Sequence, residues 1–434
     1  MTQTLTRTLG ARDLTLLVVG NVIGSGIFLV PASILMQSGL SVPIAISVWL
    51  VGGLLSLMGA LSYAELGSMD PGAGGLYAYI RDAFGPFPAF LYGWTLFFVI
   101  GAGTVAALAV AAADYLTQLT PMSDTVKSIV AVGLIAVMTI INVRGTRGSA
   151  SVQNLATGIK VGAILVMSVL LLSMGHGGDT TAAATAPVAP ASVSSIGLAL
   201  ISVLWAYEGW QYVTFVAGEA KEPQRTIPRA LLFGTLTLIG IYVLANFGYL
   251  AALGPERMAA SNRVAGEAVA QVLGGTAGKL IALAIIVSMY SAAHATVITV
   301  PRVYFAMARD GVFFKKLAEV HPTFGTPAIA IIASCVWAAV LALSGTFNQL
   351  LTYVVFIGWM FYALGAAAVI ALRMKKPDAP RPFRVPGYPL TPALFVLAAA
   401  AIVGNQIISQ PGQAAIGLAM VALGAPAYLL WKRR

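Results

Sequence analysis

The sequence predicts an all-α integral membrane protein with twelve transmembrane helices: two inverted repeats of five spans, followed by two more. Three observations carry this. Of 434 residues, 59% are hydrophobic and only 9% charged, with a mean hydropathy of +0.88, a composition outside the range of soluble domains. Apolar runs of about 20 residues, the length that crosses a bilayer core, recur along the whole chain. Two of these runs, five spans apart, are interrupted by glycine and polar residues.

The expected spans cover residues 12–36, 43–68, 86–114, 126–144, 150–174, 194–218, 228–253, 277–308, 325–345, 348–373, 389–409 and 412–431. The first run exceeds a cleaved signal in length and lacks a small-residue cleavage site, so it reads as a retained helix. The net charge of +10 does not call for a nucleic-acid partner. With the N-terminus inside, 20 of the 25 Lys and Arg fall on the cytoplasmic side, Lys127, Arg257, Arg263 and Lys279 fall outside, and Lys160 lies within a span. That asymmetry follows the positive-inside rule and places both termini in the cytoplasm. Cys335 is the single cysteine, which excludes an intramolecular disulfide. Residues 175–195, rich in Gly, Ala, Thr and Pro, read as a flexible external linker. Residues 374–389, basic and proline-rich, read as a cytoplasmic link suited to topology and anionic lipid.

In span 1, Gly20-Asn-Val-Ile-Gly-Ser-Gly-Ile-Phe28 places three glycines within seven residues. Unpaired backbone is tolerated at membrane depth only where it lines a cavity or meets a ligand. Trp205-Ala-Tyr-Glu-Gly-Trp210 interrupts span 6. Because five is odd, a second copy of a five-span unit enters from the opposite face. Residues 12–174 and 194–373 thus read as inverted repeats within a single transporter domain, with 389–431 appended, and matched discontinuous helices point to a midplane binding site.

Several stretches, in order, resemble the amino acid, polyamine and organocation superfamily of permeases, close to its L-type branch. They are Gly20 to Pro31, Pro71-Gly-Ala-Gly-Gly-Leu-Tyr-Ala-Tyr-Ile80 with Phe84-Gly-Pro86, Trp205 to Trp210 through Gly218-Glu-Ala-Lys-Glu-Pro-Gln-Arg-Thr-Ile-Pro228, Pro301 to Gly311, and Lys376 to Arg384. The resemblance covers nearly the whole chain. It implies a LeuT-type fold and transport of amino acids by alternating access.

An amino acid presents a carboxylate and an ammonium group. The half-helix starting near Gly26 directs free N–H groups and a positive dipole end at an anion, and Ser25 adds a hydroxyl. Carbonyls near Val22 and Ile23, and around Trp205 and Glu208, offer acceptors to the ammonium. The resemblance implies that Val22, Ile23, Gly24, Ser25, Gly26 and Ile27, with Trp205, Ala206, Glu208 and Gly209, hold the substrate. Close helix packing is the competing account of Gly24 and Gly26. Trp205 stands where the family places an aromatic gate, while Tyr207 and Trp210 read as packing. Lys160, a cation inside the core, needs a partner. By resemblance it stands in for sodium, with Ser288 and carbonyls near Gly20 receiving it. Glu208 departs from the commoner neutral residue, and three roles compete: attracting a cationic side chain, carrying a proton, or accepting backbone N–H groups. His294 either lines the pathway or packs. Residues 71–86 suggest a small hairpin and inner gate.

No His, Cys or carboxylate cluster has metal-ligand spacing, and no cofactor is expected. The expected function is sodium-independent exchange of small neutral amino acids. The alternatives are proton-coupled transport or carriage of cationic amino acids through Glu208. A channel needs repeated polar rings or a carbonyl filter, and an enzyme needs a nucleophile with a base or a metal; neither pattern occurs. L-type light chains of animals carry a cysteine between spans 3 and 4 for a heavy-chain disulfide. Residues 114–126 have none, so a stand-alone prokaryotic permease of the cytoplasmic membrane is expected.

Overall fold

The computed structural model describes residues 5–117, 119–177, 190–344 and 347–432. Most of the linker expected over 175–195, namely 178–189, lies outside the described residues. Among the described residues, eleven helices are long and apolar enough to cross a membrane. The ninth expected span is the helix Ala328–Ser344. At 1.5 Å per residue its 17 residues reach about 26 Å, short of the ~30 Å hydrocarbon core. Among the described residues the only β pairing is the isolated bridge between Leu9 and Ala220.

Span 1 is not one rod over 12–36 but three pieces, Ala11–Val22, Gly26–Leu29 and Pro31–Gln37. Two glycines around Ser25 stop the first piece, and Pro31, which has no N–H, starts the third. Span 6 divides into the α-helix Val193–Ala206 and the 3₁₀ helix Trp210–Glu219. The break is Tyr207–Gly209, inside the Trp205–Trp210 stretch expected to interrupt the span, though Trp205 itself stays helical. The Trp205 carbonyl is therefore still engaged, accepting from Glu208 N at 3.0 Å. Gly209, with φ +117°, turns the chain where a side chain would be strained.

Span 3 runs through Pro86–Thr95, a π turn at Leu96–Ile100 and Gly101–Leu116. The hairpin expected at 71–86 is one helix, Leu76–Phe84, joined to span 3 across Gly85. Span 7 extends over Pro223–Ala260 with a kink at Gly254. A short helix Val264–Leu273, which the apolar runs do not predict, leads to span 8, Gly275–Thr299. The N-terminal part of span 1 packs among spans 5, 7 and 8 and the 3₁₀ half of span 6. Span 3 lies against span 8.

The perimeter is apolar: Ile129, Leu155, Val166, Val336, Leu397 and Ile408 are all exposed, as lipid-facing residues must be. Both described ends lie on one face. Leu9 bridges to Ala220 beside the end of span 6, and Trp431 stacks on Phe313 past span 8. This is called the terminal face below. The 374–389 link is not loose. Arg381 donates to the carbonyls of Leu372, Lys376, Pro377 and Ala379, which caps span 10. Glu65 receives Arg373 at 2.9 and 2.7 Å.

Candidate functional site

The two breaks face each other. A side chain on Gly26 would place its Cβ 2.5 Å from Ala206 Cα, and one on Gly209 would lie 3.2 Å from the Asn21 backbone. Such approach of two helices requires glycine at both crossing points. Tyr242 of span 7 ties them together, its hydroxyl lying 2.8 Å from the Ala206 carbonyl and 3.2 Å from that of Val22.

Between the breaks lies a cavity of about 20 Å³, room for about one water molecule. Of the expected site residues, Val22, Gly24, Ser25, Gly26, Trp205, Glu208 and Gly209 line it. Ile23, Ala206 and Ile27 are buried but do not line it. The walls are completed by Asn21, by Thr104 and Leu108 of span 3, by Tyr212, and by Ala292 and Thr296 of span 8. Nothing in the sequence singles out these six. The spacing of Ala292 and Thr296 at i+4 and i+8 from Ser288 is the one signal that points to that face. The Ser25 hydroxyl and both side-chain polar atoms of Asn21 are buried without a protein partner. Buried polar atoms of this kind are rare and need an explanation.

The expected acceptors are redistributed. Lys160 Nζ donates to the Gly20 carbonyl at 2.7 Å and to the Ile23 carbonyl at 2.5 Å. Ser288 Oγ donates to the carbonyls of Ile23 at 3.1 Å and Gly24 at 3.0 Å. Ser288 therefore does not receive the lysine, as the sequence leads one to expect; the two side chains converge as donors on one carbonyl. Lys160 and the Ser288 hydroxyl, whose single proton lies between two carbonyls, crowd the Ile23 oxygen, while the Val22 oxygen meets only Tyr242 and keeps a lone pair. Glu208 Oε1 accepts from Gln211 Nε2 at 2.7 Å and from Tyr362 Oη at 2.5 Å. Its donors are neutral side chains rather than the backbone N–H groups of one expected role.

Trp205 lines this cavity and also a larger pocket of about 230 Å³ away from the terminal face, walled by Leu198, Ile201, Val355, Phe356 and Trp359. On the terminal side lie two charged clusters, one buried and one half-buried. Arg302 Nε donates to Glu219 Oε1 at 2.6 Å, and Arg302 Nη2 donates to Thr146 Oγ1 at 2.9 Å. Tyr77 Oη and Arg81 both donate to Asp310. Burial, with the Asp310 carboxylate alongside, pushes the Tyr77 phenol far above its ordinary value, so it remains a donor at any physiological pH.

The family model for amino acid permeases matches residues 9–426. The chain belongs to the amino acid permease family. Among its relatives, this permease is 32% identical over 421 residues to the serine/threonine exchanger SteT of Bacillus subtilis (strain 168), covering 96% of this chain and 95% of the other. It is 33% identical to the human cystine/glutamate transporter over 423 residues, 96% of this chain and 83% of that protein. Identity to the human large neutral amino acids transporter small subunit 2 is 31% over 423 residues, 95% of this chain and 78% of that one. The permease is a multi-pass membrane protein and not an enzyme.

His294 of the permease does not line the cavity. Its Nδ1 lies 3.3 Å from Gln153 Oε1. Trp210 packs edge-on to Tyr63 and Phe395, and Tyr207 packs against Trp49 and Tyr242. Cys335 is buried. Among the described residues no group of His, Cys, Asp and Glu is placed to hold a metal.

Proposed function

We propose that this permease is a sodium-independent exchanger of small neutral L-amino acids in the cytoplasmic membrane, working by alternating access as a single chain. The observation that carries the reading is the cavity bounded by both helix breaks, with the unpartnered Ser25 hydroxyl and Asn21 amide beside it. The N–H groups following Ser25 and the Ser25 hydroxyl take the substrate carboxylate. The remaining lone pair of Val22 and the Asn21 amide oxygen take the ammonium. Trp205 is the gate between the cavity and the pocket beyond it.

Lys160 takes the place of a sodium ion, a fixed charge bonded to the carbonyls exposed by the break of span 1. The fold in this reading has twelve crossings, with Ala328–Ser344 as the ninth, both termini cytoplasmic, and the LeuT-type repeats 12–174 and 194–373. The serine/threonine exchanger among the relatives supports small polar or neutral substrates. The absence of cysteine over 114–126 supports independence from a disulfide-linked heavy chain.

A second reading, proton-coupled transport or carriage of a cationic amino acid, is favoured by one observation. Glu208 lines the cavity, and its hydrogen-bond partners there are the neutral Gln211 and Tyr362. The test is radiolabelled alanine or serine entry into sodium-free proteoliposomes at equal pH, preloaded with unlabelled amino acid or empty. Entry into preloaded vesicles alone supports the exchanger. Arginine entry abolished by Glu208→Gln, with no alanine exchange, supports the second reading.

A further inference from the structure

Span 5 offers Gln153, Thr157 and Lys160 at i, i+4 and i+7, one face of a helix. Span 8 offers Ser288, Ser291 and His294 at i, i+3 and i+6, along an adjacent strip of its helix. Only the upper members, Lys160 and Ser288, touch the break of span 1. Below them Gln153 Nε2 donates to Thr157 Oγ1 at 3.1 Å and to Ser291 Oγ at 3.0 Å. Thr157 Oγ1 in turn donates to the Leu16 carbonyl at 3.3 Å. With the Gln153 amide nitrogen turned that way, its oxygen faces His294 Nδ1 at 3.3 Å, so the histidine donates from Nδ1. Gln153, Thr157, Ser291 and His294 are all buried. Gly20 lies against this amide, since a Cβ there would sit 2.2 Å from Gln153 Nε2 and 2.4 Å from Thr157 Oγ1.

We infer that Gln153, oriented by His294 and Ser291, is a positioning residue for transport. It clamps span 5 to span 8 and sets the width of the slot in which span 1 sits, so that Lys160 and Ser288 meet the same Ile23 carbonyl. His294 acts through Gln153 and touches no substrate. This role rests on the exchanger reading, because it matters only if span 1 must leave and re-enter the slot in each cycle. A buried side-chain clamp suits such a cycle. Its hydrogen bonds fix distance and register between the two flanking spans, while span 1 presents only a backbone carbonyl and a glycine to it.

The test compares wild type, His294→Leu, His294→Asn, Gln153→Leu and the His294→Leu/Gln153→Leu pair in proteoliposomes, measuring turnover and KM for alanine exchange together with thermal unfolding in detergent. Turnover of His294→Leu is expected to fall about tenfold, the effect of one misaligned hydrogen bond on a barrier. KM should stay within about threefold. His294→Asn, whose amide can donate to the same oxygen, should restore most of the rate, and the pair should be no slower than Gln153→Leu alone. A rise in KM that accounts for the loss would put His294 on the substrate and overturn the role. So would wild-type turnover in a folded His294→Leu, or losses that track unfolding temperature in every variant including His294→Asn. An inactive wild type would overturn the exchanger reading and this role with it; an active wild type with indifferent variants would overturn this role alone.

Discussion

Lys160 carries an ammonium group into the helix bundle, and among the described residues its partners are two backbone carbonyls rather than a carboxylate. Among those residues no carboxylate neutralises that group at the break of span 1, which in the proposed reading is the place a sodium ion would otherwise take. Lys160→Met is expected to leave the Gly20 carbonyl without its side-chain donor, cost ~1–3 kcal/mol of stability, and abolish exchange. Thermal unfolding and counterflow, each with and without sodium, check this. Ser25 is the opposite case, since its buried hydroxyl has no protein partner to lose. Ser25→Ala should leave the unfolding temperature unchanged while raising the KM for alanine about 2- to 10-fold, the worth of one substrate hydrogen bond. Both residues stand out in the sequence, Lys160 by its charge within an apolar run and Ser25 by its glycine neighbours. Thr104 and Tyr212 do not, because nothing in an apolar helix marks which side faces a cavity.

At the level of elements, the function lies in how two interrupted helices are joined. The breaks are legible because glycine and a carboxylate inside apolar runs conflict with an unbroken helix. Their extents are not: span 6 stays helical through Ala206 and then tightens to 3₁₀, since Gly209 supplies the turn and local hydrogen bonds settle the rest. Tyr242 reads as an ordinary aromatic in span 7, yet its hydroxyl bridges both breaks. Tyr242→Phe is expected to reduce stability by about 1 kcal/mol and to lower turnover while the protein still folds, as measured by unfolding in detergent and exchange in liposomes. Gly26→Val should be more severe. Its side chain would meet the Ala206 backbone, which cannot rotate away, and overpacking of ~1–3 kcal/mol should separate the breaks and abolish exchange in protein that still reaches the membrane.

At the scale of the whole molecule, a buried ion pair ties elements together on the terminal face. Arg302 and Glu219, each 1% exposed, link the end of span 6 to the chain beyond span 8, and Thr146 at the start of span 5 joins them. Removing one member leaves the other charge buried. Glu219→Leu should therefore destabilise by ~3–5 kcal/mol, and Glu219→Leu/Arg302→Leu should recover much of that, a comparison made by thermal unfolding. The basic excess on the terminal face predicts that a cysteine at Lys376, in a Cys335→Ser background, is labelled by an impermeant maleimide only in inside-out vesicles, and one at Arg263 only in right-side-out vesicles.

The class of the protein, its run of spans, the positions of both breaks and the isolated Lys160 were determined by the sequence alone. Each is a local conflict or a local excess: too much apolar surface for water, too much glycine for a helix, a charge without polar neighbours. The partners of those residues were decided only by tertiary structure. Which carbonyl Lys160 reaches, that Ser288 shares it, that Glu208 is bonded by Tyr362 from 154 residues away, and that His294 is held to Gln153 all depend on helix rotation. In a membrane, where the lipid is as apolar as the helix faces, rotation is set by close packing and buried hydrogen bonds rather than by a hydrophobic stripe readable along the chain.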